Sequence, residues 1–380
     1  MENKLGFGTM RLPTLSADQK DIDYEQVNKM FDEFLAAGFN YFDTSYVYHG
    51  GASEPTIKKC LASRHKREDF ILTTKLPIFK ITQEEEIDKI FNEQLEKCGV
   101  EYFDYYLLHN MNILHYERQV QSCHAFEHLK KFKAEGKIKH IGLSLHDSAD
   151  VLDKILTEHP EVEVVQIVIN YLDWESYFIQ SRKCYEVIRK HGKQVLIMEP
   201  VKGGALAKIP EKAEKLFKDV APENSVASWA IRFAANLDGV LRVISGMSNL
   251  EQVKDNVATM KNAKPLSADE EKIISEVSKI CRESGPVGLS DYKKFESLNT
   301  KGISAAAILD TYNNCLIQPV PAFAAEHSYF CLEKAKNKIQ ADEKVMPEKV
   351  LTADGEDISK IVHEAEDFLY KTMFYKYEVR

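Results

Sequence analysis

The chain of 380 residues contains no Cys-x-x-Cys pair, although it carries seven cysteines: Cys60, Cys98, Cys123, Cys184, Cys281, Cys315 and Cys331. An odd, scattered set argues against a disulfide framework and offers no spacing for structural zinc. Buried free thiols in a reducing cytoplasm are expected, and no metal site is assigned. No apolar run approaches the roughly 20 residues of a membrane span. The start, Met1-Glu-Asn-Lys-Leu-Gly6, lacks the basic segment and apolar core of a signal peptide. Net positive charge is lacking too: the formal net charge of -9 argues against general nucleic-acid binding, which favours a clustered basic face, while leaving room for a local phosphate pocket. No Gly-x-Gly-x-x-Gly follows an early strand, and neither an internal repeat nor a low-complexity segment is present. What remains is a globular composition, 44% hydrophobic and 29% charged, with ample material for a core.

The apolar pattern alternates regularly. Leu5-Gly-Phe-Gly-Thr-Met-Arg-Leu-Pro13 reads as a short strand or hairpin arm punctuated by glycine. Over 23–37, Val27, Met30, Phe31, Phe34 and Leu35 share one helical face, and Gly38 closes it. Strands are then predicted at 40–43, 70–75, 105–109, 139–144, 162–170, 194–199 and 239–245. Helices are predicted between them at 54–61, 84–98, 120–135, 147–159, 177–191, 211–220 and 225–235, with 250–262 closing the series. Eight strand–helix units over about 260 residues is the size of a (β/α)8 TIM barrel. A doubly wound sheet is the rival for any such alternation. It is disfavoured by the missing glycine motif and by polar residues recurring at successive strand ends. Ser267-Ala-Asp-Glu270 is a capping-box signature for a helix to about Glu283. The expected division is a barrel over 1–284 and a carboxyl-terminal helical extension over 285–380. Helices are predicted there at 304–316, 322–338 and 357–375, the last with an apolar stripe of Ile358, Ile361, Val362, Phe368, Leu369, Met373 and Phe374.

Three strand ends carry complementary chemistry: Tyr41-Phe-Asp-Thr-Ser-Tyr-Val-Tyr48, Ile71-Leu-Thr-Thr-Lys75 and Tyr105-Tyr-Leu-Leu-His109. Singly, Asp43 reads as a cap, Lys75 as a surface residue, His109 as a core histidine, and Tyr46 or Tyr48 as a half-buried aromatic. Together they read as a site. A tyrosine, with a pKa of about 10, is a poor acid or base at neutral pH. A neighbouring ammonium is expected to bring that pKa down. Asp43 would keep Lys75 in place and charged, and His109 would orient a carbonyl. A phenol so placed protonates an oxygen on which negative charge develops, which suits carbonyl reduction with hydride from a nicotinamide.

The run Gly38-Phe-Asn-Tyr-Phe-Asp-Thr-Ser-Tyr-Val-Tyr-His-Gly-Gly-Ala-Ser-Glu54 resembles the second-strand signature of the aldo-keto reductases, and Glu135-Gly-Lys-Ile-Lys-His-Ile-Gly-Leu-Ser144 also matches that family. The resemblance covers residues 5–284. It implies a (β/α)8 barrel that binds NADPH or NADH without a Rossmann motif, and a tetrad of Asp43, Tyr48, Lys75 and His109, so that Tyr48 rather than Tyr46 is the acid. It also brings Thr9 and Met10 to the cofactor, with Asp43, and places Ser144 and Gln166 on the nicotinamide carboxamide. The asparagine that usually follows this serine is Leu145 here. The aromatic that stacks on the nicotinamide falls at Met198, and Lys202 with Gly203 is expected near the pyrophosphate. Gly246, Ser248, Gln252 and Asn256 lie in the adenosine-binding segment. The lysine and arginine by which many members hold a 2′-phosphate fall at Gly246 and Gln252, so the cofactor is written as NADP or NAD, with Lys254 and Arg242 as cations able to compensate.

The tail resembles a prokaryotic branch with a ferredoxin-like extension, through Lys301-Gly-Ile-Ser-Ala-Ala-Ala-Ile-Leu-Asp-Thr-Tyr312. Cys281, Cys315 and Cys331 lack cluster spacing, so no iron–sulfur cluster is expected. The expected activity is interconversion of a small carbonyl compound and its alcohol. The alternative is a nucleotide-binding redox sensor on the same scaffold. No nucleic-acid or membrane partner is expected.

Overall fold

The computed structural model describes residues 3–321, 324, 329–340 and 342–371. Eight parallel strands close into a barrel in sequential order: β1 (Leu5–Gly8), β2 (Tyr41–Asp43), β3 (Ile71–Leu76), β4 (Phe103–Met111), β5 (Ile138–Leu145), β6 (Val164–Val168), β7 (Gln194–Met198) and β8 (Val240–Gly246), with β8 returning to pair with β1. Parallel neighbours need a crossover on the outside, and the helices supply it. They are α1 (Tyr24–Ala36), α2 (Ser53–Ile57), α3 (Glu85–Cys98), a single turn α4 (Ile113–His115), α5 (Ala125–Ala134), α6 (Ala149–Glu158), α7 (Ser181–Lys190), α8 (Glu211–Val220), α9 (Val226–Asn236) and α10 (Leu250–Lys261). The last barrel-side helix, α11 (Ala268–Glu283), opens with the predicted capping box between Ser267 and Glu270.

The α1 stripe buries Val27, Met30, Phe31 and Phe34. Phe7 of β1 meets Phe31 and Phe34 edge-on and Phe42 of β2 in a stack, one aromatic knot binding sheet to helix. Inside the barrel Tyr41, Leu107, Val164, Leu196 and Ile244 form a separate buried layer. Gly142 of β5 makes room for that layer: a Cβ there would lie 2.4 Å from Leu107 and 2.6 Å from Val164. Arg242 lies near the amino end of β8, its guanidinium 5.3 Å from the Tyr41 ring centroid. It faces the floor layer, away from the mouth where a compensating cation was expected.

Two predicted helices begin late. The helix expected from residue 120 starts at Ala125 because His124 has a left-handed backbone, φ 49°. The one expected from 177 starts at Ser181, after Gln180 at φ 54°. Here the cause is tertiary: Phe178 is drawn into the apolar cluster of the tail, and the Tyr177 hydroxyl donates to Glu296 at 2.6 Å.

The tail opens with an antiparallel pair that was not predicted, β9 (Asn299–Thr300) with β10 (Ile303–Ser304), too short to show an alternation. It continues through α12 (Ala305–Ile317), α13 (Phe330–Lys336) and α14 (Ser359–Lys371). Its cluster includes Ile308, Leu309, Phe330, Leu332, Val362 and Leu369. Of the predicted 322–338 helix, Phe330–Lys336 is helical, while 322–323 and 325–328 lie outside the described residues, as do Met373 and Phe374 of the last stripe. Lys336 of α13 pins this layer to the barrel, donating to Ser148 Oγ at 2.6 Å and Asp147 Oδ1 at 3.1 Å. Among the described residues no helix is long and apolar enough to cross a membrane.

Candidate active site

Asp43 ends β2, Lys75 lies near the end of β3 and His109 near the end of β4, so all three point to the carboxyl-terminal mouth. Tyr48 opens the 3-10 turn after β2, in which His49 and Gly50 take left-handed backbones of φ 53° and 59°. A buried His49 holds that turn: its Nε2 accepts from the Leu12 amide at 3.1 Å and its Nδ1 donates to the Gln19 carbonyl at 2.9 Å. Position 49 was read only as a family landmark, since its partners on the β1–α1 connection are some thirty residues away.

All three ammonium donors of the fully buried Lys75 are used. They reach Asp43 Oδ1 at 2.6 Å, the Thr44 carbonyl at 2.8 Å and the Tyr48 hydroxyl at 3.4 Å. The other carboxylate oxygen of Asp43 accepts from Gln166 Nε2 at 3.2 Å. His109 shares a hydrogen bond between Nδ1 and Ser45 Oγ at 3.1 Å, and its ring meets that of Tyr48 edge-on at 5.9 Å.

Burial opposes the charge on Lys75, but Asp43 and Tyr48 outweigh it and hold the ammonium above its ordinary range. Burial, aided by Lys75, His146 and His115, pushes His109 well below the usual imidazole range, so it is neutral at pH 7. For Tyr48 the outcome differs from expectation. Burial raises its pKa and outweighs the lowering by Lys75, so the group is a firmly protonated phenol rather than one brought toward neutrality.

The positions matched to the cofactor fall into three groups. Ser144 of β5 is in register with Gln166 of β6, and Ser144 Oγ lies 4.0 Å from Met198 Sδ of β7, so these three converge beside Asp43. Met10, Gly203, Gly246, Ser248 and Gln252 form an exposed outer group. The remainder turn inward. Thr9 donates to the Asp43 carbonyl at 3.0 Å and pairs with Ser53 at 2.7 Å. Asn256 donates to Ser245 Oγ at 2.8 Å. In the exposed group, Gln252 folds back on its own loop and accepts from the Ser248 amide at 2.8 Å. Lys202 is buried and donates both contacts to the Asp173 carboxylate, at 2.5 and 2.7 Å.

Two features were missed in the sequence. Arg11 lies against the exposed outer group: a Cβ on Gly246 would meet its Cγ at 2.9 Å, and one on Gly203 would meet its Nη2 at 3.6 Å. It therefore lies between the end of β8 and the loop after β7, next in sequence to Thr9 and Met10. Behind Lys75, the Glu54 carboxylate accepts from Thr74 Oγ1 at 2.7 Å and Gln94 Nε2 at 2.6 Å, while Gln94 also donates to the Lys75 carbonyl at 3.1 Å. Burial raises Glu54 to about 7. Among the described residues, no three His, Cys, Asp or Glu side chains come together as a metal site.

Comparison with known proteins agrees with this geometry. The family model described as the aldo/keto reductase family matches residues 4–279. An uncharacterized oxidoreductase of Bacillus subtilis, YqkF, is 23% identical over 308 residues, covering 73% of this chain and 93% of that protein. L-Galactose dehydrogenase of Arabidopsis thaliana is 26% identical over 268 residues, covering 65% and 82%. Among solved structures, the holo form of the aldo-keto reductase AKR11C1 from Bacillus halodurans superposes with a TM-score of 0.60 at 25% identity, covering 73% of this chain and 92% of that one. An aldo-keto reductase from Klebsiella pneumoniae in complex with NADPH shares the fold, with a TM-score of 0.58 at 18% identity, covering 72% and 90%. With the closed eight-stranded barrel and a family match over most of its length, the chain belongs to the aldo/keto reductase family of oxidoreductases.

Proposed function

We propose that the protein reduces an aldehyde or ketone to an alcohol, or runs the reverse reaction, with NADPH or NADH as cofactor and Tyr48 as the proton donor. The observation that carries this reading is the buried Lys75 whose ammonium contacts both the Asp43 carboxylate and the Tyr48 hydroxyl. The residues present fit a nicotinamide dinucleotide. Ser144, Gln166 and Met198 converge where the nicotinamide would lie, and Arg11 over Gly203 and Gly246 offers a cation to the phosphates. When bound, the nicotinamide supplies the hydride. The NADPH complex of the Klebsiella relative supports the cofactor class. Gly246 and Gln252 leave NADP and NAD both open.

The carbonyl oxygen sits between Tyr48 and His109. As negative charge develops on it, Tyr48 donates its proton. The raised pKa of the phenol is no obstacle, because an alcohol is a far weaker acid than a phenol and the transfer runs downhill. The adjacent Lys75 ammonium stabilises the phenolate left behind, and Asp43 holds Lys75 in line. Neutral His109, with Nδ1 engaged by Ser45, offers Nε2 to orient the carbonyl. Residues 1–284 would form this catalytic barrel. Residues 285–380, with their own apolar cluster, would form the extension, with no iron–sulfur cluster.

Tyr48→Phe keeps the ring and removes the proton. We expect turnover to fall by at least the 10²–10⁴-fold typical of general acid–base catalysis, with nucleotide affinity nearly intact in a fluorescence titration. A variant that retains near-normal rate would falsify the assignment. Leu145 in place of the usual asparagine and Met198 in place of the usual aromatic favour the second reading, a nucleotide-binding redox sensor, while the presence of Asp43, Tyr48, Lys75 and His109 together favours catalysis. Single-turnover oxidation of bound NADH across a carbonyl panel separates the two.

A further inference from the structure

Between the barrel mouth and the tail lies a cavity of about 30 Å³, room for one or two water molecules. Its barrel wall includes His146, Val168, Glu199 and Lys202. Val168 lies two residues beyond Gln166, about 7 Å along β6, and His146 follows the last residue of β5, two beyond Ser144. The cavity also touches the site below it, for His146 Nε2 lies 3.3 Å from Ser144 Oγ. It thus lies outward of the Ser144 and Gln166 end of the site.

The opposite wall is α12 and its cap. Thr311, Asn314, Cys315 and Gln318 line the cavity at the i, i+3, i+4, i+7 spacing of a single helical stripe. The neighbouring stripe anchors the helix: Asp310 accepts from Arg282 Nη1 at 3.0 Å and Asn313 donates to the Arg282 carbonyl at 2.9 Å. On the cavity stripe the polar groups are buried yet unsatisfied. Asn314 is 4% exposed with neither amide atom hydrogen-bonded, and Thr311 is 5% exposed with its hydroxyl unpartnered. Two adjacent buried polar side chains left open at a cavity cost free energy unless something occupies it.

We infer that α12 reads the substrate, Thr311 and Asn314 hydrogen-bonding a hydroxyl that the substrate carries beyond its carbonyl, so that hydroxylated aldehydes or ketones are preferred over their deoxy counterparts. The inference rests on the reductase reading and adds the substrate class. An asparagine amide and a threonine hydroxyl both donate and accept, which matches a hydroxyl. An anionic group is disfavoured, because Glu199 lies in the wall and the charge of Lys202 is already matched by Asp173. The volume suits a hydroxyl or hydroxymethyl group replacing water, not a large apolar one.

The test is the ratio of kcat/KM for glyceraldehyde over propanal, in the wild type, in Asn314→Leu and in the near-isosteric Thr311→Val, together with NADPH and NADH affinities. The ratio is insensitive to loss of folded protein, which scales both rates alike. We expect the wild type to favour glyceraldehyde by about tenfold or more, and each variant to lose most of that preference, chiefly through KM, as removal of a buried hydrogen bond implies. Nucleotide affinity is expected to stay put. An unchanged ratio in both variants overturns the inference, as does a loss that falls on nucleotide affinity instead. Wild-type turnover of both aldehydes with equal kcat/KM overturns this inference alone. Wild-type turnover of no carbonyl overturns the reductase reading and this inference with it.

Discussion

Lys75 and Lys202 are both buried lysines at the barrel mouth, each paired with an aspartate, yet they end in different chemistry. Lys202 spends two contacts on one carboxylate, Asp173, which Asn170 also holds at 2.8 Å. Lys75 divides its three among a carboxylate, a carbonyl and the Tyr48 hydroxyl. The first arrangement is closed on itself and clamps the loop after β7, whose backbone at Lys202 is left-handed, φ 47°. The second leaves one contact on a group able to give up a proton. A buried ammonium becomes useful when its last donor meets a titratable partner.

That contrast can be broken by substitution. The largest expected effect is on Lys75→Met, which removes the stabilisation of the Tyr48 phenolate. Turnover should fall by about 10²–10⁴-fold, read by steady-state kinetics. For Lys202→Met the main effect should be on stability, because Asp173 is left buried and unpaired. We expect a loss of about 3–5 kcal/mol by urea unfolding, with a catalytic loss well below that of Lys75→Met. Comparable catalytic losses in the two variants would erase the distinction drawn here.

A smaller effect concerns the support behind Lys75. Glu54 has a folded pKa of about 7 against an ordinary 4.5, so the folded state prefers its protonated form. The contribution is full below the unfolded pKa and is lost as pH rises through the folded one. We expect the wild type to lose about 3 kcal/mol from this group between about pH 4.5 and about pH 8. Glu54→Gln cannot ionise, so its unfolding free energy should show a shallower pH slope. Parallel slopes for the two proteins would show that Glu54 does not titrate in this range.

Much of the barrel was legible because its signals are local. The period of 3.6 in α1, the glycine after it and the Ser267 capping box lie within a few residues of what they specify. The convergence of the candidate residues was legible for a related reason: consecutive parallel strands put their carboxyl ends at one mouth, so Asp43, Lys75 and His109 had to meet. Less was readable where distant segments compete. The turn expected to continue into helix over 177–180 is pulled toward the tail by Phe178 and Tyr177. The role of Arg11 needs β1, β7 and β8 brought together.

The chain by itself determined the strand–helix alternation, the order of the strands and the meeting of Asp43, Tyr48, Lys75 and His109 at one mouth, all consequences of local periodicity and strand polarity. Tertiary structure alone decided the balance between burial and Lys75 at Tyr48, which burial wins. It also decided that Lys202 faces Asp173, and that the tail lies over β5 to β7, held by contacts such as Lys336 to Asp147 across 189 residues. Desolvation and long-range pairing are properties of the assembled neighbourhood, and no window of sequence contains them.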